Sequence, residues 1–328
     1  MAGVRALRKI QCGVEATAGT AVPATTYWRG VGAIEDTQEM KFTEEDIGYL
    51  SGVDRSYVPA LGAKITFADT PATFEQLPYI LAAGVKNVVT GSADGTGSGK
   101  IYTYTFPTTA ANTIKTYTIE GGDDQQEEEM EYSFVEAFKL SGKPGEALMM
   151  SADWIGRQVT ASTFTGSLSL PTVEEILFSK GLLYIDAIAG TIGTTLKSNT
   201  LLGADLSVKT GWKAVRAADG QLYFSFIKST PPEVILAITF EHDSTATAEK
   251  AFWRAQTARL IRLKITGTTL TTAGTTYTAK TLLIDLAGKW EKFDVWVTAM
   301  ATRFAQGRSG RDITPRRPAT VRSWSLIS

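Results

Sequence analysis

The chain contains one histidine and one cysteine, and these two residues bound its chemistry more tightly than any motif. His242, in Glu241-His242-Asp243, is the only imidazole, so a Ser-His-Asp or Cys-His mechanism would have to run through it. Successive side chains on an extended chain point to opposite faces, so its neighbouring carboxylates do not form a dyad with it by adjacency. A histidine at the end of a strand is expected there. Cys12 and His242 together cannot supply a Cys/His zinc site, and one thiol makes no intrachain disulfide.

The remaining chemical patterns fail on spacing. Gly91–Lys100 (GSADGTGSGK) has the look of a phosphate-binding loop. Asp94 stands where the pattern needs its first glycine, Ile101 where it needs Ser or Thr, and a strand follows instead of a helix. A hairpin tip is expected. Glu174-Glu175 could serve glycoside hydrolysis only from positions facing each other across a cleft, and nothing in the sequence indicates one. No Gly-x-Ser-x-Gly or His-Glu-x-x-His occurs. With no set of nucleophile, base and orienting group, neither an enzyme nor a cofactor is expected.

Three charged or apolar clusters point to contacts instead. Asp123, Asp124, Glu127, Glu128, Glu129 and Glu131 gather between a strand at Lys115–Glu120 and one beginning near Met130. They read as a solvated hairpin tip, or as a surface that repels polyanions or meets basic residues. Glu44, Glu45 and Asp46 open a long loop through Ala60 that includes Tyr49, Leu50 and Tyr57. A loop of that length with aromatic residues and no evident structure suggests an intersubunit contact. Arg303–Arg322, with Arg308, Arg311, Arg316 and Arg317 and with Pro315 and Pro318, reads as an extended basic arm.

The elements that must position these clusters are strands. Lys100–Phe106 and Lys115–Glu120 alternate aromatic with polar residues and read as a hairpin around Pro107–Asn112. Phe134–Leu140 and Ala147–Ile155 read as a second hairpin. Leu182–Ala187, Leu201–Val208, Leu222–Ile227, Val234–Glu241, Leu260–Ile265, Leu282–Leu286 and Phe293–Ala299 continue the texture. Two helices stand out: Phe74–Ala83, with Pro78 in its first turn and Gly84 as the stop, and Ala248–Ala258, with Thr247 as N-cap and Phe252 and Ala255 facing inward. An Asp-x-x-Gly-basic step ends a strand in each half, at Asp153–Arg157 and Asp285–Lys289, which suggests an internal duplication.

The length suggests about two domains, or one large β domain. The chain has 328 residues, 43% of them apolar and 20% charged, enough to build a core. Lys+Arg 33 against Asp+Glu 34 leaves a net charge of -1, which argues against indiscriminate adhesion to nucleic acid. No apolar run has the ~18 residues of a membrane-spanning helix. Met1–Val14 lacks the apolar core of a secretory signal. A reducing cytosol is the expected place of synthesis.

Gly13-Val-Glu-Ala-Thr-Ala-Gly-Thr-Ala-Val-Pro23 resembles the N-terminal signature of the tail tube (major tail) proteins of long-tailed bacteriophages. Gln76–Leu81, Phe138–Gly142 followed by Ser151–Arg157, Gly220–Phe226, Trp253–Thr257 and Arg259–Lys264 fit the same family, so the resemblance runs from Ile10 to Ala299. It implies a mainly β chain of two tandem tail-tube-like sandwich or barrel domains, each with a short flanking helix, over residues 1–160 and 161–302, with a basic arm at 303–328. It further implies a structural virion protein, assembled in the bacterial cytoplasm, with no catalytic, cofactor or metal site. Neighbouring subunits would complete a β-barrel around a DNA channel, and the rings would stack into a tube. The doubled length favours trimeric rings, with hexameric rings as the alternative. Partners would be other copies of the chain, the tape measure protein, tail terminator and tip proteins, and double-stranded DNA in transit. Lys41–Ala60, with Glu44, Glu45, Asp46, Tyr49, Leu50 and Tyr57, would be the stacking loop. Asp123–Glu131 would face the lumen or an interface. A monomeric β-sandwich that binds carbohydrate or a surface ligand is the rival reading, and a carboxylate-dependent hydrolase the third.

Overall fold

The computed structural model describes residues 5–50, 52–85, 91–107, 111–293, 299–305 and 323–327. The protein is mainly β. Its first half carries β1 (Lys9–Val14), β2 (Thr26–Tyr27), β3 (Ile34–Asp36), β4 (Glu39–Glu44), β5 (Val53–Ala60), β6 (Ala63–Pro71) and helix α1 (Leu77–Gly84). Then follow β7 (Ser92–Ala93), β8 (Lys100–Tyr104), β9 (Tyr117–Gly122), β10 (Glu127–Gly142), β11 (Met149–Gly156) and β12 (Val159–Ala161). The second half carries β13 (Gly181–Ala187), β14 (Leu196–Lys197), β15 (Leu201–Lys209), β16 (Trp212–Val215), β17 (Phe226–Ser229), β18 (Glu233–Glu241) and helix α2 (Ser244–Arg254). It ends with β19 (Arg259–Thr269), β20 (Ala279–Phe293), β21 (Ala299–Ala305) and β22 (Ser323–Ile327).

One order of antiparallel pairing occurs in both halves. In the first, β2 pairs with β1, β1 with β9, β9 with β10, β10 with β11, β11 with β6 and β6 with β3. In the second, β14 pairs with β13, β13 with β19, β19 with β20, β20 with β21, β21 with β18 and β18 with β15. Each half also has a separate hairpin in the same place, β4–β5 and β16–β17, and a helix after the strand that follows it. The long strands β10 and β20 each run through two sheets and shift register where they cross, between Val135 and Ala137 and between Trp290 and Lys292. A bulge at that point bends the strand and lets one chain serve both layers. The halves meet in a ladder between β10 and β15, Ala137–Gly142 against Ala204–Lys209, and again through β22, which pairs with β8 of the first half and β20 of the second, so the stretch 303–328 is not simply the extended arm expected of it.

Alternation builds the core, as the strand patterns predict. Val234, Leu236, Ile238 and Phe240 of β18 are buried, as are Ile261, Leu263 and Ile265 of β19. Each buried branched or aromatic side chain of this kind contributes about 1.5–3 kcal/mol. Pro78 lies in the first turn of α1, where no amide is missed. Helix α2 differs from the expectation. It begins earlier, with Asp243 as the N-cap accepting from the Ala246 amide at 2.9 Å, and it buries Ala246 and Glu249 while Phe252 is only half-buried. A helix can bury a carboxylate when a partner is present: Arg259 of β19 grips Glu249 at 2.7 and 3.0 Å, and the Trp290 indole donates to it at 2.9 Å.

Other expectations are corrected. Lys100–Phe106 and Lys115–Glu120 are not hairpin partners, because β8 pairs with β7 and β22 while β9 pairs with β1 and β10. Their alternation fixed the faces and left the partners undetermined. Asp153 and Asp285 lie on strands that do not correspond, β11 and β20, so those steps are not evidence of a repeat. The strand expected at Leu222–Ile227 starts at Phe226. Gly91–Lys100 does form a hairpin; there Asp94 accepts from the amides of Thr276 and Tyr277. Phe293–Ala299 lies largely outside the described residues.

Candidate self-assembly surface

The segment Lys41–Ala60 is not the unstructured loop its length suggests. It is most of the β4–β5 hairpin, a two-stranded sheet that pairs with no other strand among the described residues. Alternation of Met40 and Phe42 with Lys41 and Thr43 suits a strand, and Gly48 and Gly52 take positive φ values of 76° and 62° at the tip. Arg55 pairs with Glu45 at 2.6 Å and Lys41 with Glu39, so part of the tip's charge is balanced within the hairpin. Among the described residues, nothing covers the apolar side chains. Phe42 is 65% exposed, Tyr49 72% and Tyr57 58%, and Met40, Leu50 and Val53 are exposed with them. An isolated two-stranded ribbon is at best marginal in water, so such a hairpin needs something to lie on.

Hairpin β16–β17 occupies the same place in the second half and is packed. Trp212, Tyr132, Phe134 and Phe224 form a cluster of their own, with Ile155 and Ile227 against it. The Trp212 indole donates to the carbonyl of Gly84, the last residue of α1, at 3.0 Å, and Thr210 donates to the Val135 carbonyl at 2.8 Å. Arg157 lies over the Tyr132 and Tyr223 rings at 4.5 and 5.1 Å and donates to the Phe224 and Ser225 carbonyls at 3.2 and 3.1 Å. The second hairpin thus rests on the surface that α1, β10 and β11 make in the first half.

The acidic run does not form one patch. It lies mostly within β10, which starts at Glu127 instead of near Met130. Asp123 accepts from the Gln125 and Gln126 amides, which hold its carboxyl below the usual range and close the turn. Asp124 is exposed at that turn, and Glu128 accepts from Gln126. Glu127 accepts from the Phe164 amide at 2.7 Å and Glu129 from the Ser162 hydroxyl at 3.0 Å. Glu131 is buried, and burial raises its pKa. These three carboxylates therefore tether or abut the segment after β11, and Asp123, Asp124 and Glu128 are left at the tip.

Two residues with positional roles carry no signal in the sequence. Glu15 is buried and accepts from the Gly19 and Tyr132 amides at 2.8 and 2.7 Å and from the Thr116 hydroxyl at 2.7 Å. It thereby holds Tyr132 at a positive φ of 54°, where β10 leaves β9. The other is Trp212, whose indole N–H donates to an acceptor 128 residues away. Glu174 is engaged by Thr268 and Lys280, and Cys12 is buried. His242 is exposed just beyond β18. Arg308, Arg311, Arg316 and Arg317 lie outside the described residues. No helix among the described residues is long and apolar enough to cross a membrane. No family model matches the sequence, and none of the curated proteins does.

Proposed function

We propose that this chain is the subunit of a hollow polymer of the phage tail-tube kind. It is a structural virion protein that assembles into stacked rings around a channel for double-stranded DNA and the tape measure protein, and it performs no covalent chemistry. Terminator and tip proteins would cap the two ends. The chain is two tandem β domains, the first over 1–160, each with a flanking helix; the second continues through β21 past residue 302, and the basic stretch after it returns to the sheet as β22.

The observation that carries this reading is the join between the halves. Two stretches with one order of pairing meet edge to edge through β10 and β15. A chain built this way offers a next copy the same relation, with its β20 in the place of β10 and the newcomer's β3 in the place of β15. Among the described residues β3 has β6 as its one ladder partner. Edge strands left open invite uncontrolled pairing, and a head-to-tail contact that closes on itself makes a ring. Three copies would carry six such units. The apolar side chains of the β4–β5 hairpin supply a further contact with a second copy, between rings or within one. A conduit for DNA is best without a basic lining, because every phosphate contact adds salt-sensitive affinity. Asp123, Asp124 and Glu128 suit such a wall.

Negative-stain microscopy of the purified protein over a range of concentrations tests the reading. Rings or tubes of regular width, with threefold symmetry and six similar lobes, are the expected result. A persistent monomer at high concentration that binds a defined glycan would overturn it in favour of a β-sandwich binding module.

A further inference from the structure

The two hairpins stand at matching places in the pairing order, yet one is packed and the other bare. The ladder that runs from Phe134 to Ile155 to Lys64 crosses β10, β11 and β6. Its counterpart runs from Lys289 to Ala305 to Ile235 across β20, β21 and β18. Both start just before a register shift in the long strand, which fixes Lys289 as the counterpart of Phe134. One step further along, Ala63 pairs with Asp36 and Val234 with Val208. Met40 follows Asp36 at the interval at which Trp212 follows Val208, so Met40 is the counterpart of Trp212. Trp212 is buried in a cluster with Phe134, whereas Met40 is 50% exposed.

We infer that the β4–β5 hairpin lies on the α2–β20 end of a neighbouring copy in the same ring, as β16–β17 lies on the α1–β10 end of its own chain. This rests on the ring reading and assigns the hairpin a lateral partner instead of one in the next ring. Charge agrees with the assignment. The hairpin presents Glu44 and Asp46, and the receiving end presents Lys250, Arg254 and Lys289. Opposite charges across a contact steer encounter and set register more than they add affinity. The contact would cover Met40 and Phe42 with the second copy's surface, and it would provide between chains the packing that the Trp212 cluster provides within one.

The test is a full-length chain carrying Met40→Cys and Lys289→Cys, assembled and treated with a short bis-maleimide. Cys12 is buried with its thiol pushed up to about 12, so it does not compete. A covalent ladder that ends at one closed ring is the expected result, with neither single variant giving it. Carbodiimide coupling of wild-type assemblies reads the same contact without substitutions, and peptides joining Glu44 or Asp46 to Lys250 or Lys289 are expected. Rings or tubes that form with neither cross-link overturn the lateral contact and leave the ring reading standing. A ladder that runs past one ring also overturns it, in favour of contact between rings. Failure of the wild-type chain to assemble at all sinks both.

Discussion

Trp212 donates its indole N–H to the Gly84 carbonyl at 3.0 Å, which ties the second hairpin to the end of the first half's helix. The same ring packs with Tyr132, Phe134 and Phe224, so one side chain joins a helix end, a long strand and a hairpin. Trp212→Ala should cost about 3–5 kcal/mol of stability through the cavity it leaves. Trp212→Phe should cost less, near ~1 kcal/mol, mainly for the lost hydrogen bond. Urea unfolding of the unassembled chain measures both, and equal losses would show that the packing of the ring adds nothing beyond its hydrogen bond.

Glu249 and Arg259 form a buried bidentate pair, with Glu249 1% and Arg259 6% exposed. Removing one partner strands the other charge, so Glu249→Ala should destabilise by about 3–5 kcal/mol. The Trp290 indole would lose its acceptor as well. A double-mutant cycle with Arg259→Met should recover part of that loss, since the stranded guanidinium is then gone. Strict additivity would mean that the two residues do not couple.

Acid should weaken the loop after β13. Burial alone would raise the Asp186 carboxyl, but hydrogen bonds from Thr194, Thr195 and Gly193 outweigh it and hold the pKa at about 2. A carboxyl depressed below its unfolded value stabilises the fold at pH above that value, about 3.9, and the contribution fades as pH falls toward 2. Asp186→Asn should therefore unfold more easily than wild type at pH 5, and the difference should shrink toward pH 2. A gap between the two chains that does not change with pH would contradict this.

Cys12 should resist alkylation in the folded chain. Burial, with Glu120 nearby, pushes its thiol up to about 12, so the thiolate fraction at neutral pH is minute. Maleimide labelling followed by mass spectrometry should give essentially no adduct in buffer and full labelling in denaturant. Rapid native labelling would mean that the β1–β9 ladder opens readily.

The β4–β5 hairpin should matter to assembly and little to the fold. Phe42→Ser with Tyr57→Ser removes exposed apolar surface, so the unfolding free energy of the unassembled chain should stay within about 0.5 kcal/mol of wild type. Sedimentation velocity should show loss of large species. Unchanged assembly by this double variant would remove the two rings from any contact.

The sequence by itself determined the texture and the faces. Alternation in β18 and β19 placed Val234, Leu236, Ile261 and Leu263 inside, because the period of a strand is two whatever it pairs with. Pro78 marked the start of α1 for a reason as local as a missing amide, whereas Gly84, its last residue, takes no positive φ and instead leaves room for Thr210 and Val135. Pairing was decided only by tertiary structure. The aromatic strand at Lys100–Tyr104 went to β7 and β22 because ladder partners depend on register across long separations, which alternation does not encode. The Asp243 cap displaced Thr247, and Arg259 allowed Glu249 to turn inward, because each outcome depended on a neighbour from elsewhere in space. The two hairpins make the point most directly. Only the surface beneath each distinguishes them: Trp212 found Gly84 and Phe134 within its own chain, and Met40 has no such floor among the described residues.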